Sequence, residues 1–181
     1  MSLATTPHVQ SRERYVGRPI LRIEDAALLK GAGHFIDDLH RPDLLHACTL
    51  RSHLAHGRIR RLDLAAARAM PGVAAVYAMA DLEPHVTSVR MPLAMPGAAI
   101  RHVAEPEILA TDEVLYVGQG IALVVAQSRA IAEDAAAAIE CEIEPLPAVT
   151  SARKAFAAGA PPADTRFADN LLAQFSIGYG D

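Results

Sequence analysis

Residues Ile121 to Ala126 read IALVVA, six apolar residues without a break, entered through Val117-Gly118-Gln119-Gly120. An amphipathic helix would space its apolar residues at three and four, and a half-wetted strand would alternate them. The run therefore predicts a buried strand, with the two glycines serving the turn before it. A dinucleotide-binding turn is excluded on the same residues. Such a turn puts its glycines after a strand and at the start of a helix, so that the helix N-terminus faces the pyrophosphate. Here a strand pattern follows the glycines and no third glycine stands at the required offset. Gly31-Ala32-Gly33 fails in the same way, because its helix-forming run precedes it.

The stretches around this strand set the fold class. Ser128 stands where an N-cap belongs before the Ala-rich run Arg129 to Ala138, and IECEIE follows, with Ile139, Cys141 and Ile143 alternating with three glutamates. Upstream, Asp25 and Gly31 bracket a helix of one or two turns in AALLK, and LLHACTL (44 to 50) reads as a strand. RIRRLDL alternates with Ile59, Leu62 and Leu64 apolar, AAARAM is a helix stopped by Pro71-Gly72, and VAAVYAM is the next strand. Short strands joined by tight turns predict a mixed α+β domain rather than a doubly wound parallel sheet. From Glu83 to Pro106 the pattern dissolves, with prolines at 84, 92, 96 and 106, into a long loop of the kind that is commonly functional or docked. The first fourteen residues read as a mobile lead-in and 156–181 as a linker running to NLLAQFSIGYGD. No internal repeat is present.

Composition removes several function classes. At 181 residues the chain fits one domain, or a domain with a tail, and only 4% of it is aromatic, so its core must be aliphatic. With 17 basic and 21 acidic residues, the net charge of -4 supplies no footprint for nucleic acid or an anionic membrane. No apolar run approaches the length of a membrane span, and MSLATTPHVQSRER lacks the apolar stretch of a secretory signal, so the expected compartment is the cytoplasm.

Candidate chemistry is sparse. Cys48 and Cys141 lie in expected strands and read as buried small hydrophobes, without disulfide, iron–sulfur or zinc spacing. His53 and His56 would meet only on a helix, which Gly57 disfavours, and with His34, His40 and His46 they read as exposed or hydrogen-bonding side chains. Glu24-Asp25 and Asp37-Asp38 read as caps or turn residues, and Met91 and Met95 as part of a contact loop. No catalytic, cofactor-binding or metal-ligating residue is expected in this chain.

Five motifs in order carry a resemblance: RPILRIEDAALLKGAGHFIDD, RSHLAHGRIRRLD, MPGVAAVYAMADL, YVGQGIALVVA and AEDAAAAIECEIEPLPAV. Together they resemble the N-terminal portion of the molybdopterin-binding large subunit of molybdenum hydroxylases, the group of aerobic carbon monoxide dehydrogenase, xanthine dehydrogenase and aldehyde oxidase. The resemblance covers about residues 16 to 155 and the closing NLLAQFSIGYGD. The chain departs from the family's pattern at His53, Gly120 and Ile143, where the family favours Pro, Pro and Tyr.

The resemblance implies an α/β-hammerhead domain over 16–155, after a lead-in at 1–15, with 156–181 as linker and start of the molybdopterin-binding domain. It implies a parent oxidoreductase that hydroxylates or oxidises a small substrate such as a purine, an aldehyde or carbon monoxide. Molybdopterin would lie in the rest of the subunit, and iron–sulfur clusters and FAD in partner subunits or domains, leaving this chain inactive alone. A chain cut from such a parent is expected to expose an apolar face and to self-associate, as a dimer. The competing expectation is a free-standing assembly module that docks on the iron–sulfur and flavin subunits. QFSIGYG, a strand pattern without a visible partner, favours the larger parent.

Overall fold

The computed structural model describes residues 15–92, 99–176 and 178–180. The expected lead-in (1–14), Met95, Pro96, and Ile177 and Asp181 of NLLAQFSIGYGD lie outside them. Two compact units divide the chain, the first ending at Pro42 and the second spanning Asp43–Asp181.

Local hydrogen bonds shape the described part of the first unit. Helix α1 (Asp25–Leu28) opens where the Arg22 amide donates to the Asp25 carboxylate at 3.2 Å. It closes on Gly31 at φ +67°, with the Ala32 amide donating back to the Ala27 carbonyl at 2.9 Å. That is the left-handed stop a glycine permits. A 3₁₀ turn, Ile36–Asp38, is capped by the Asp38 carboxylate, which accepts from the Phe35 amide at 2.9 Å. Asp38 is thus a cap residue as expected, whereas Asp25 is the first residue of α1 and its carboxylate closes the preceding turn, the N-cap position being Glu24 without a side-chain cap bond. Yet no residue between Tyr15 and Pro42 is buried.

The second unit holds two three-stranded sheets, antiparallel throughout. One runs β1 (His46–Arg51), β6 (Gly120–Ala126), β3 (Val73–Tyr77), and the other β5 (Glu113–Val114), β2 (Gly57–Asp63), β7 (Glu140–Pro145). Around them stand α2 (Ala65–Arg68), α3 (Met79–Leu82), α4 (Arg129–Ala137) and α5 (Ala152–Ala155). A two-residue pair joins β4 (Ala99–Ile100) to β8 (Ala173–Gln174). This is the α+β class expected, and no strand pair is parallel among the described residues.

The IALVVA run is the central strand of its sheet. Ala122, Val124 and Ala126 pack in one cluster against Ala132, Ala135 and Ala136 of α4, while Ile121 packs with Ala110 and Val114 in a second. Strand alternation sends Ile121 and Ala122 to opposite faces, and the pairing slips by one residue there: Leu50 pairs with Ala122 and Arg51 with Gly120, leaving Ile121 as the extra residue. Ser128 caps α4, its Oγ accepting from the Ile131 amide at 3.3 Å.

Three expectations need correction in detail. The alternation read in RIRRLDL is broken by a bulge: Ile59 pairs with Ile143 and Arg61 with Glu142, so Arg60 is the extra residue, and Ile59 and Leu62 reach one cluster despite their odd spacing. The end of VAAVYAM turns into α3 at Met79, and Glu83–His85 forms a 3₁₀ turn, so the proline-rich loop is partly ordered. The stretch expected as a bare linker is tied back, because β8 has β4 as its partner and the Asn170 amide donates to the carbonyls of Ala155 (3.1 Å) and Pro161 (3.0 Å).

Candidate functional site

The sequence segment before β2 places His53 and His56 in bends rather than on a helix, with His53 exposed and His56 only 5% exposed. His56 is the hub of a buried junction. Its Nδ1 lies 2.7 Å from the Pro147 carbonyl oxygen, which can only accept, so Nδ1 donates. Its Nε2 lies 2.5 Å from Glu113 Oε1, a contact that needs one shared proton. The same carboxylate accepts from the Thr165 amide at 3.1 Å and from the Thr165 hydroxyl. Burial pulls the Glu113 carboxyl upward, but hydrogen bonds from Thr165 and His56 outweigh it and hold it below the usual carboxylate range.

Beside this junction lies a cleft of about 510 Å³, walled by β2, the 107–119 segment and residues 164–166. Its charges are largely spent on one another. Arg90 pairs with Glu107 at 2.9 Å, and Glu107 also accepts from the Thr111 amide at 3.0 Å. Arg166 grips Asp164 through contacts of 2.5 to 3.0 Å and Arg60 bonds Glu144. Desolvation raises the Asp164 carboxyl and the Arg166 guanidinium more than reverses it, leaving that carboxyl low. Both His56 ring nitrogens are engaged, Nδ1 with the Pro147 carbonyl and Nε2 with Glu113.

Gly118 and Gly120 behave as the turn expected of them. Gly118 takes φ +90°, and a Cβ on Gly120 would stand 3.2 Å from both Leu109 and Thr49. The turn is clasped to Arg51-Ser52. The Ser52 amide donates to the Gln119 carbonyl at 2.9 Å, the Gly118 amide to the Ser52 carbonyl at 2.8 Å, and the Arg51 guanidinium to the Gly118 carbonyl at 2.8 Å. Gln119 and Ser52 are each 3% exposed, and Gln119 Oε1 accepts from the Leu115 amide at 2.7 Å. Two of the sequence motifs are therefore the two halves of one structural clasp.

Among the described residues no group of three His, Cys, Asp or Glu side chains could hold a metal, and no helix is long and apolar enough to cross a membrane. Cys48 and Cys141 are half-buried free thiols in separate clusters, and burial pushes the Cys141 thiol up. The described donors do not fit a molybdenum group.

Sequence reasoning missed Glu113, which lies 57 positions from His56, and Thr165, which lies 52 positions beyond Glu113. No local pattern links positions so far apart.

Comparison with known proteins places this architecture. Residues 30–147 match the family model described as aldehyde oxidase and xanthine dehydrogenase, a/b hammerhead domain. The chain is 36% identical over 178 residues to the nicotine 6-hydroxylase large subunit of Paenarthrobacter nicotinovorans, covering 97% of this chain and 21% of that protein. It is 36% identical over 166 residues to the carbon monoxide dehydrogenase large chain of Afipia carboxidovorans, covering 89% of this chain and 20% of that one. The structure of quinoline 2-oxidoreductase from Pseudomonas putida 86 superposes with a TM-score of 0.71 at 38% identity, over 88% of this chain and 20% of that chain. The chain spans about a fifth of the length of the curated relatives it matches. Matched over most of its length to the family's model and to its members' large subunits, the chain belongs to the α/β-hammerhead domain family of aldehyde oxidase and xanthine dehydrogenase.

Proposed function

We propose that the chain is the scaffold domain of the large subunit of a molybdenum-dependent hydroxylase or dehydrogenase, an oxidoreductase acting on a small substrate. The observation that carries this reading is the alignment of 97% of the chain with about a fifth of a hydroxylase large subunit. The clasp between Arg51-Ser52 and Gly118-Gln119 supports it, because the motifs that resemble the family hold the fold together and leave the chemistry to other domains.

On this reading residues 16–155 are the hammerhead unit, and 156–181 run over its surface towards the molybdopterin-binding domain. Molybdopterin belongs to the rest of the subunit, and iron–sulfur clusters and FAD to partner subunits of a cytoplasmic complex. Isolated, the chain carries no catalytic residue and its uncovered apolar side chains drive self-association to a dimer.

The test is a chimera in which this chain replaces the matched fifth of the nicotine 6-hydroxylase large subunit. The expected product folds, binds molybdenum and assembles with its partner subunits. A chimera that is expressed and folded but fails both to load molybdenum and to assemble overturns the reading.

A further inference from the structure

Residues 15–42 form a segment with a built shape and no core of its own. Val16 is 97% exposed, Leu21 84%, Ile23 101%, Leu29 87% and Ile36 85%. Aliphatic side chains held on capped, turn-locked backbone at this exposure are costly to leave in water, at about 25 cal/mol per Å². The hydrogen bonds of the Arg22 amide to Asp25 and of the Phe35 amide to Asp38, with the Gly31 stop, fix the backbone that presents them.

The charge of the segment narrows what it can meet. Four basic residues (Arg18, Arg22, Lys30, Arg41) are balanced by four acidic ones (Glu24, Asp25, Asp37, Asp38), giving no net charge with its histidines neutral. Neither a polyanion nor an anionic bilayer gains from such a surface. An apolar protein surface does. The alignment with nicotine 6-hydroxylase leaves out too little of this chain to omit the segment, so its counterpart sits in a subunit about five times as long.

We infer that residues 15–42 are a docking arm, which lays Leu21, Ile23 and Leu29 on an apolar surface of the remaining part of the large subunit. This rests on the scaffold reading and adds to it the residues that make the joint. The arm is then the element that orders the hammerhead domain against the rest of the subunit, a role separate from the clasp and the His56 junction.

The test compares Leu21→Ser, Ile23→Ser and Leu29→Ser, made together, in the free chain and in the chimera. The free chain, held at a concentration where it is monomeric, should keep its melting midpoint, because these side chains touch water there. The chimera should melt several degrees lower, and trypsin should cut it at Arg22 and Lys30 several-fold faster than the unsubstituted chimera. An unsubstituted chimera that fails to fold overturns the scaffold reading and the arm with it. A sound chimera indifferent to the three serines overturns the arm alone. So does an equal loss of stability in the free chain, which would mean that the arm packs on its own chain. Sedimentation showing a tight dimer of the free chain, abolished by the serines while the chimera is unaffected, would assign the arm to a second copy and overturn its docking on the rest of the subunit.

Discussion

His56, Glu113 and Thr165 show what a sequence conceals at the scale of single residues. His56 reads correctly as a hydrogen-bonding histidine, but its partners are the Pro147 carbonyl and Glu113 on β5, whose carboxylate also holds Thr165, and no spacing rule reaches them. Removing the carboxylate leaves a buried imidazole and a threonine without their acceptor. Glu113→Ala should destabilise the chain by about 3 kcal/mol, lowering the melting midpoint on the order of 10 °C; thermal unfolding followed by circular dichroism checks it. The pH dependence has a definite sign. Because the folded carboxyl is held below its unfolded value of about 4.3, it contributes stability that is present above that value and lost as pH falls through the folded one. Glu113→Gln should flatten the acid limb of a denaturant-midpoint curve measured between pH 6 and 3; a slope equal to that of the parent chain would count against the junction. Gly118 was legible for a different reason. A turn into a buried strand often needs a left-handed residue, and its φ of +90° with open space around it means that Gly118→Ala costs about 1 kcal/mol through the backbone alone.

Elements were legible wherever periodicity, composition and caps agreed. Ser128, the Ala-rich run and the Ile139–Cys141–Ile143 alternation each predicted what forms, since each is a local signal. The bulges at Arg60 and Ile121 were not, because a bulge is a property of two paired strands and neither strand announces it alone. Nor was α3, a single turn whose Asp81 caps the Ala78 amide at 2.8 Å and meets Arg68 at 2.8 Å across the chain. The small face of α4 has its own consequence. Ala132 and Ala135 are fully buried against β6, so helix and sheet approach as closely as alanine allows. Ala132→Leu should therefore cost about 2 kcal/mol by overpacking, whereas Ala130→Leu on the exposed side should stay within about 0.5 kcal/mol. Urea midpoints of the two variants, measured side by side, separate this from a general intolerance of the helix to leucine.

For the whole molecule, the family resemblance was legible because its motifs are clasp and cap residues close in sequence, while the path of the last thirty residues was not. That path is held by single side chains without period: Thr165 on Glu113, Asp169 on Arg101 at 2.6 Å and on His102 at 3.1 Å, His102 stacked on Phe167 at 4.8 Å, and Asn170 bridging its own loop. It crosses the wall of the charged cleft, through Asp164, Thr165 and Arg166, before pairing as β8 with β4. Neither three-stranded sheet takes a strand from it, so a chain ending at residue 155 should still fold. It should do so with less stability, by at least about 2 kcal/mol for the hydrogen bonds left without partners. Hydrogen exchange gives the sharper reading. Amides of β5 and of Ile59, whose N–H donates to the Asp112 carbonyl at 2.8 Å beside the cleft, should exchange faster in the shortened chain, while those of β6 at the far cluster should keep their protection. Uniform protection in both chains would mean that the segment after residue 155, the strap, lies loosely on the domain and that residue 155 is a true boundary. Faster exchange confined to β5 and β2 would make the strap a part of the domain that also carries the chain onward.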